Sequence, residues 1–377
     1  MSKYIGTRLL FLVLKLEHKI SCSQLIIYSL VYNWAMVDYE LSLFHDTSPI
    51  LSIGDLQTPL PCNDSLWRSK SSEEWLKMMQ ETYPRSSNME FHSHIYPTED
   101  LSLSHLFQDL LRDETETKPR KLSALYLKLL LHPLQNLVYP LGQLLSCFYG
   151  IHDNQLGTPS HTTASTLLQL EEVQSLLHKW YDLAMHNHRI DSDCPVTNSS
   201  LVLYHLVYLN TVTYFPGVER VVRREDSNGH SWESELQSKK FIYHSDKAVF
   251  HALRVFMLIS KWPKSGRAPW WSAALYRAAM ILWVDRISRS YRRDGYDNEK
   301  VELLNSDTCN DLAIKEYLSE SSCTLYTGTR GGDCAKPGLP EEILLHCVSL
   351  LEDGVSSRFS DGIKRKLQTV LKIWKAV

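Results

Sequence analysis

Apolar residues recur along this chain mostly three or four positions apart, the spacing that places side chains on one face of an α-helix. The clearest such face falls at relative positions 0, 3, 7, 10 and 14 and consists of Leu170, Val173, Leu177, Trp180 and Ala184. The residues expected on the opposite, solvent-facing side are Glu171, Glu172, Gln174, Lys179 and Asp182. This segment predicts an amphipathic helix that buries one face against a neighbour.

One central helix is apolar nearly all round. Residues 201–209 contain His205 as their one strongly polar side chain, and a helix that is apolar on every face is buried by neighbours on several sides. Ser199 or Ser200 is the expected N-cap, because a serine hydroxyl accepts from the free backbone N–H groups of the first turn. We therefore expect Leu203→Asp to break the fold and His205→Ala to cost little.

A second, shorter helix follows directly. Residues 210–215 weaken the first helix with β-branched and polar side chains, and Pro216 restarts it at a first-turn position, where its missing N–H costs nothing. The valines of the second helix share one side and are Val218, Val221 and Val222. Its outward residues are Glu219, Arg220, Arg223, Arg224 and Glu225.

Further helices are predicted on either side of this pair. Residues 25–44 are expected to form a long buried helix that ends ahead of Pro49. Residues 122–149 are expected to be helical, with Pro133 and Pro140 bending or dividing the segment. One further helix is expected after a cap at Ser71 or Ser72, one at 101–112, and a final pair at 341–352 and 359–376. Two more are expected from their apolar stripes. The first stripe consists of Val249, Leu253, Phe256 and Ser260, and the second of Tyr276, Met280, Trp283 and Ile287.

Irregular segments separate these helices. They are expected at 50–66, 150–165, 261–270, 294–310 and 319–340, with a charged, proline-containing linker at 113–121. The apolar alternation that marks a strand does not persist beyond a few residues, and no repeat of fixed period occurs. The sequence therefore predicts the all-α class: a multi-helical domain of packed antiparallel helices with long irregular loops.

Composition restricts the function more than the fold. The 377 residues carry 40 Lys and Arg against 43 Asp and Glu, a net charge of −3, so the chain has no overall field for nucleic acid. The 8 cysteines form no C-x-x-C pair, which favours reduced thiols of an intracellular protein. The apolar run at 9–14 is too short for a signal peptide, and no run approaches the roughly 20 residues of a membrane span.

Patterns for catalysis or metal binding are sparse. The histidine clusters HSH at 92–94 and HNH at 186–188 lack a partner at zinc-finger spacing, so surface or core histidines are the better interpretation. The loop GTRGGD at 328–333 lacks the Lys-Ser/Thr ending of a phosphate loop. A basic run ends one predicted helix and consists of Arg286, Arg289, Arg292 and Arg293. Favourable interaction of cations with a helix C-terminus explains that run more simply than DNA contact does.

These patterns assign no catalytic, cofactor-binding or metal-binding residue, and the chain is not expected to be an enzyme. The alternative is a helical enzyme or binding protein with an aromatic-lined pocket for an apolar metabolite, since the chain has 10 Trp and 19 Tyr. The residues that could line such a pocket are Trp180, Tyr204, Trp270, Trp271 and Trp283. Core packing is the commoner role for rings at helical spacing, so convergent polar groups with shifted pKa values would be needed to favour the enzyme.

Several stretches, taken in order, resemble the fungal-specific transcription factor domain, the helical regulatory region of fungal zinc-finger activators and repressors. They are SLFHDTSPILSIGDLQTPLPCNDSLW with EEW soon after it, LLHKWYDLA, LYH, FPGVERVVRRE, APWWSAALYRAAMILW and EEILLHCVSLLEDGVSSRFSDGIKRKL. The last two are most similar to the subgroup whose members carry N-terminal two-Cys two-His fingers. The resemblance covers residues 22–377 and leaves 1–21 as an atypical N-terminal segment.

The resemblance implies regulation of transcription by RNA polymerase II in the nucleus, with the chain acting as the effector- or partner-sensing part of such a factor. Its partners would be the transcription machinery or co-regulator proteins, with a small-molecule effector and a homodimer as open alternatives and no role at a membrane. Zinc and DNA would be bound by the finger region of complete family members, which this sequence does not contain, so no cofactor is expected in the chain itself. The chain is accordingly expected to be a truncated product or an incomplete gene model.

Overall fold

The computed structural model of the chain describes residues 27–61, 71, 73–74, 77–78, 102–112, 122–149, 161–225, 231–238, 241–293, 340–354 and 357–375. Regular structure within these residues is helical, apart from two isolated bridges that pair Pro59 with Ser102 and Thr213 with Ile242. The predicted all-α class is confirmed.

The main helices are numbered α1 to α11 in chain order. They are α1 (27–45), α2 (Leu103–Leu111), α3 (Ala124–Tyr149), α4 (His161–Ile190), α5 (Pro195–Val212), α6 (Phe215–Val222), α7 (Trp232–Ser238), α8 (Ser245–Lys261), α9 (Trp271–Arg293), α10 (Pro340–Glu352) and α11 (Arg358–Lys375). Two single 3-10 turns, Ile53–Asp55 and Lys264–Gly266, lie in the connections.

The chain divides into two compact units. One consists of Met1–Ser42 with Pro49–Pro133, and the other of Leu43–Ser48 with Leu134–Val377. The boundaries fall inside α1 and α3, so each of these helices contributes residues to both units. The prediction of one domain over residues 22–377 stays a prediction.

Buried polar side chains of α1 organise the first unit. The carboxylate of Asp38 accepts from the backbone N–H groups of Ile50 and Leu51 at 2.9–3.0 Å. The hydroxyl of Tyr32 accepts from the N–H of Leu103 at the start of α2, at 3.3 Å. Both α1 residues are buried, so these bonds fix the irregular connection after α1 and the first turn of α2 to one face of α1.

The second unit is a helical core in which α5 and α9 are buried along most of their described length. α8 packs against both α5 and α9, α4 packs against α5, and α9 also contacts α6, α10 and α11. All the residues predicted on the buried faces of α4, α6 and α9 are buried. The final helix pair predicted at 341–352 and 359–376 is confirmed as α10 and α11.

Pro133 and Pro140 do not divide α3, which is continuous over Ala124–Tyr149. A proline inside a helix removes one backbone hydrogen bond and crowds the preceding turn, at a cost of about 3 kcal/mol. Burial of the neighbouring leucines offsets that cost. The leucines that are at most 2% exposed are Leu127, Leu129, Leu130, Leu131 and Leu134. Of the bending or division expected at these prolines, division does not occur, because the packing of these side chains outweighs the local preference of proline.

The start of α5 also differs from the prediction. The helix begins at Pro195, with Cys194 as its N-cap. Ser199 and Ser200 therefore lie inside α5, where both hydroxyls donate to the backbone carbonyl of Val196, at 2.9 and 2.7 Å. The capping role is wrong for both serines, because proline, whose fixed φ suits the first turn, sets the start of the helix earlier.

Four further expectations need correction. The sequence places Gln174 on the solvent-facing side of α4, but this side chain is 5% exposed, and Ser260, placed on the buried stripe of α8, is exposed. α4 begins at His161, inside the segment expected to be a loop up to residue 165. The sequence predicts that α1 is buried, but five of its large apolar side chains are exposed.

Some predicted features lie outside the described residues. They are the linker 113–121, the loop GTRGGD at 328–333, the HSH cluster at 92–94, most of the segments 294–310 and 319–340, and the side chains of Arg289, Arg292 and Arg293. No helix in the described part combines the length and the apolar character needed to cross a bilayer. The described cysteines Cys147, Cys194 and Cys347 carry free thiols.

Candidate functional site

Polar side chains are buried where α4, α5 and α8 of the second unit meet. At the centre, Nδ1 of His205 on α5 lies 2.8 Å from Nδ1 of His251 on α8. The two residues are 2% and 5% exposed. They are termed the histidine pair below.

The sequence around each histidine directs it inward. α5 is buried on every face over residues 199–209, so a side chain in its middle has no direction that leads to water. On α8, His251 lies three residues after Ala248 and four before Val255, both fully buried, and side chains at that spacing share one face. The pair forms because two buried helix faces each carry one imidazole where they touch.

Burial lowers the pKa of both imidazoles well below the ordinary value. The charge of Arg254 lowers the pKa of His205 further. The charges of His205, His178 and, to a smaller extent, Arg254 and Lys247 also lower the pKa of His251. Both rings are therefore neutral at pH 7, and one Nδ1–H donates to the lone pair of the other Nδ1. Protonation of both rings would place two cations in contact inside the core.

Gln174 on α4 extends the histidine pair into a larger polar cluster. The members of this cluster are His205, His251, Gln174, Tyr208, Thr211 and Lys247. The side-chain oxygen of Gln174 accepts from the hydroxyl of Tyr208 at 3.2 Å and from Nζ of Lys247 at 3.0 Å, and its amide nitrogen donates to Thr211 at 3.1 Å. The ring of Tyr208 stacks on that of His251, with centroids 3.8 Å apart and planes inclined by 12°. Burial raises the pKa of Tyr208 to about 12, so its hydroxyl remains a donor at neutral pH.

The five aromatic residues that the sequence offers as pocket lining are packed as core. Trp180 stacks on Tyr204 next to the histidine pair, with ring centroids 5.4 Å apart. The other three contact different groups, and these pairs are Trp270 with Phe44, Trp271 with Arg267 and Trp283 with Trp374. All five are at most 6% exposed, so protein atoms cover the rings that an apolar metabolite would need.

The histidine pair links α5 to α8 through a buried polar contact. In the histidine pair, the two Nδ1 atoms are engaged with each other. In the part of the chain that the structure describes, no three His, Cys, Asp or Glu side chains gather as a metal-binding group. The bond between the imidazoles forms only if α5 and α8 meet in one register, and a buried, satisfied polar contact of this kind favours one arrangement of a core over others.

Two other sequence candidates are partly described. The HNH triplet at 186–188 lies near the end of α4, with His186 exposed. Of the basic run at the end of α9, only Arg286 has a described side chain, and it is half-buried.

Sequence reasoning missed His251, Gln174 and Lys247 as members of the cluster. Two of them carry a positional signal. His251 lies three residues after Ala248 and four before Val255, both buried, and Gln174 lies four residues after Leu170 and three before Leu177, both on the buried face of α4. A polar residue at helical spacing from two core residues indicates a buried polar contact, although the spacing does not identify the partner.

Comparison with known proteins finds relatives among fungal transcription factors. The chain is 37% identical over 347 residues to Transcription factor 1 of Elsinoe fawcettii, and 35% identical over 347 residues to Transcription factor PfmaH of Pestalotiopsis fici. It is also 35% identical over 360 residues to a transcription factor of Zymoseptoria tritici. No family model and no solved structure matches the chain.

The matched regions cover most of this chain and a smaller part of each relative. They take in 91%, 92% and 90% of the chain, but 35%, 35% and 37% of the proteins from Elsinoe, Pestalotiopsis and Zymoseptoria. The chain thus spans about a third of the length of the curated relatives that it matches. Its counterpart in each of them is one region of a longer protein.

Proposed function

We propose that this chain is a non-catalytic, helical regulatory part of a fungal zinc-finger transcription factor and that it regulates transcription by RNA polymerase II in the nucleus. The observation that carries the proposal is that the chain matches three fungal transcription factors over 90–92% of its length, at 35–37% identity. The finer assignment, to the fungal-specific transcription factor domain and its subgroup with two-Cys two-His fingers, rests on stretches such as FPGVERVVRRE and APWWSAALYRAAMILW.

DNA recognition belongs, in this proposal, to a zinc-finger region outside the chain. The matched region is about a third of each relative, which leaves those proteins length for such a region. The net charge of −3 gives the chain itself no general attraction for phosphates. Zinc is then a cofactor of the finger region rather than of this chain.

The regulatory input is a partner protein, from the transcription machinery or a co-regulator, or else a small-molecule effector. A ligand shifts a protein between two arrangements only if it binds them with different affinity. The polar contacts of the histidine pair and Gln174 link α4, α5 and α8. A ligand that moves one of these helices must therefore break or replace those contacts.

The proposal is tested by a reporter measurement in a fungal cell. The 377-residue chain is fused to an unrelated DNA-binding domain whose site precedes the reporter, and the transcript level is compared with that of the DNA-binding domain alone. We expect a change of at least about fivefold in either direction. Leu203→Asp is expected to abolish that change because it unfolds α5, and Leu168→Glu to preserve it because the site is 65% exposed.

An unchanged transcript from a fusion that immunoblotting shows to be intact and nuclear would contradict the proposal. DNA binding provides a second measurement. The isolated chain is expected to bind DNA only weakly, with an affinity that falls steeply between about 50 and 200 mM salt. Nanomolar, sequence-specific binding by the isolated chain would mean that it carries its own DNA reader.

A further inference from the structure

One face of α1 is apolar and exposed along about four helical turns. Its side chains are Ile27, Leu30, Trp34, Val37 and Leu41, which are 57%, 65%, 62%, 52% and 53% exposed. These five residues are termed the α1 stripe. The opposite face of the helix, with Tyr32, Ala35 and Tyr39, is buried in the first unit.

The α1 stripe has the spacing of a coiled-coil seam. Its members are separated alternately by 3 and 4 residues, and such a narrow a/d pattern is typical of helices that pair with each other. In the sequence, the same alternation extends upstream through Leu9, Val13, Leu16, Ile20 and the polar position Ser23.

The size and charge of this surface suit pairing between identical copies. Five large apolar side chains at these exposures present a patch of roughly 500 Å², a size at which exposed apolar patches often serve as binding sites. Two copies would bury at most about 1,000 Å² together, which reaches the threshold of a biological interface and suits a weak dimer. Asn33 is the one polar residue among the exposed positions of residues 27–41, so no like charges oppose each other.

We propose that the α1 stripe is the interface of a homodimer in which two copies of this chain pair their α1 helices. The same patch serves on both copies, as two-fold symmetry requires. Trp34 is the middle member of the five, so it faces its counterpart near the symmetry axis, where large rings contribute most to binding. The proposal does not depend on the role in transcription.

Sedimentation equilibrium of the full 377-residue chain over a concentration series tests this interface. The wild-type chain is expected to form a dimer, and Leu30→Glu is expected to raise the dimer dissociation constant at least about a hundredfold, since it buries a charge in the seam. Leu168→Glu on α4 is the matched control, because Leu168 and Leu30 are both 65% exposed. Circular dichroism establishes that both variants are folded.

A wild-type chain that remains monomeric at about 100 μM, or an equal loss of dimer in both variants, would overturn the proposal. If the wild type dimerises, the variants Trp34→Glu and Trp34→Lys show whether the α1 stripe itself forms the interface or whether a substitution there disturbs a dimer formed elsewhere. Each variant alone is expected to be monomeric, whereas an equimolar mixture restores the dimer because opposite charges face each other at the centre. A mixture that stays monomeric also overturns the proposal.

Discussion

α1 and α5 are both rich in apolar residues, yet they are buried to different extents. Residues 201–209 of α5 are buried without exception, because α4 and α8 of the same unit pack on it. α1 buries one face and exposes five large apolar side chains on another. Apolar sequence thus predicts that a helix face will be covered, but it does not predict whether the cover comes from the same chain or from a second molecule.

Polar residues on the two helices complete the contrast. His205 in the middle of α5 is buried and paired with His251, because a buried polar group without a partner is costly. The exposed face of α1 carries no charged residue and only one polar residue, Asn33, between positions 27 and 41. The interior around α5 therefore satisfies its polar groups within one chain, whereas the α1 stripe leaves its apolar groups for another surface.

The largest expected effect separates these two helices directly. Leu203→Asp places a carboxylate where the wild-type side chain has no exposure, and burial of a charge there is expected to cost more than about 5 kcal/mol, enough to unfold a typical domain. Leu30→Asp on α1, at 65% exposure, is expected to cost the monomer less than about 1 kcal/mol, mostly through lower helix propensity. Urea unfolding followed by circular dichroism measures both losses. Similar losses would remove the contrast between α1 and α5.

His205→Ala tests the polar side of the comparison. The substitution leaves a cavity and removes the bond to a buried His251, so we expect a loss of about 2–3 kcal/mol in the free energy of unfolding. This is more than the small cost that the sequence alone suggests. The double variant His205→Leu/His251→Leu removes both polar groups and is expected to be nearly neutral at pH 7. A double variant that is less stable than the single one would contradict the pairing argument.

The pH dependence of stability gives a smaller effect from the same pair. Burial lowers the pKa of both histidines in the folded state, whereas the unfolded histidines titrate near 6.5. Between those values the unfolded state binds more protons, so the stability present above about pH 6.5 is lost as the pH falls towards the folded pKa. Each histidine contributes at most about 1.4 kcal/mol per pH unit.

Denaturation midpoints measured from pH 7.5 to pH 5 test this dependence. The wild-type midpoint is expected to fall more steeply than that of His205→Leu/His251→Leu. Burial also lowers the pKa of His132, His244 and His346, so the double variant is expected to retain a residual slope. Identical slopes would show that the pair does not titrate as its burial implies.

Helices with one apolar and one charged face are the part of this fold that the sequence predicts well. α4 buries the five residues that its spacing singles out, and α10 and α11 lie where the final pair is expected. The continuity of α3 through Pro133 and Pro140 is not predictable from local preference, because the compensating contacts come from distant residues. The start of α5 is missed for a different reason, since a proline and two serines compete for the first turn and only one arrangement is realised.

The candidate site is less predictable than the helices that carry it. His205 is visible in the sequence as the one strongly polar residue of an apolar segment, but its partner lies 46 residues away on α8. Helical spacing assigns each residue to a face and does not state which faces touch. The α1 stripe is missed because the sequence-based expectation of burial for residues 25–44 ignored the difference between a broad apolar face and a seam spaced by three and four.

Trp34→Ala gives the smallest expected effect on a single copy, and that effect depends on protein concentration. Trp34 is 62% exposed, so well below the dimer dissociation constant the substitution is expected to change the free energy of unfolding by less than about 0.5 kcal/mol. Above that constant, dimerisation stabilises the wild-type chain by mass action, and its melting temperature rises with concentration while that of the variant stays constant. Thermal melts at two concentrations a hundredfold apart measure the difference. If wild type and variant melt alike at both, α1 and α5 differ only in how much of each helix is buried, and the exposed seam has no partner of its own kind.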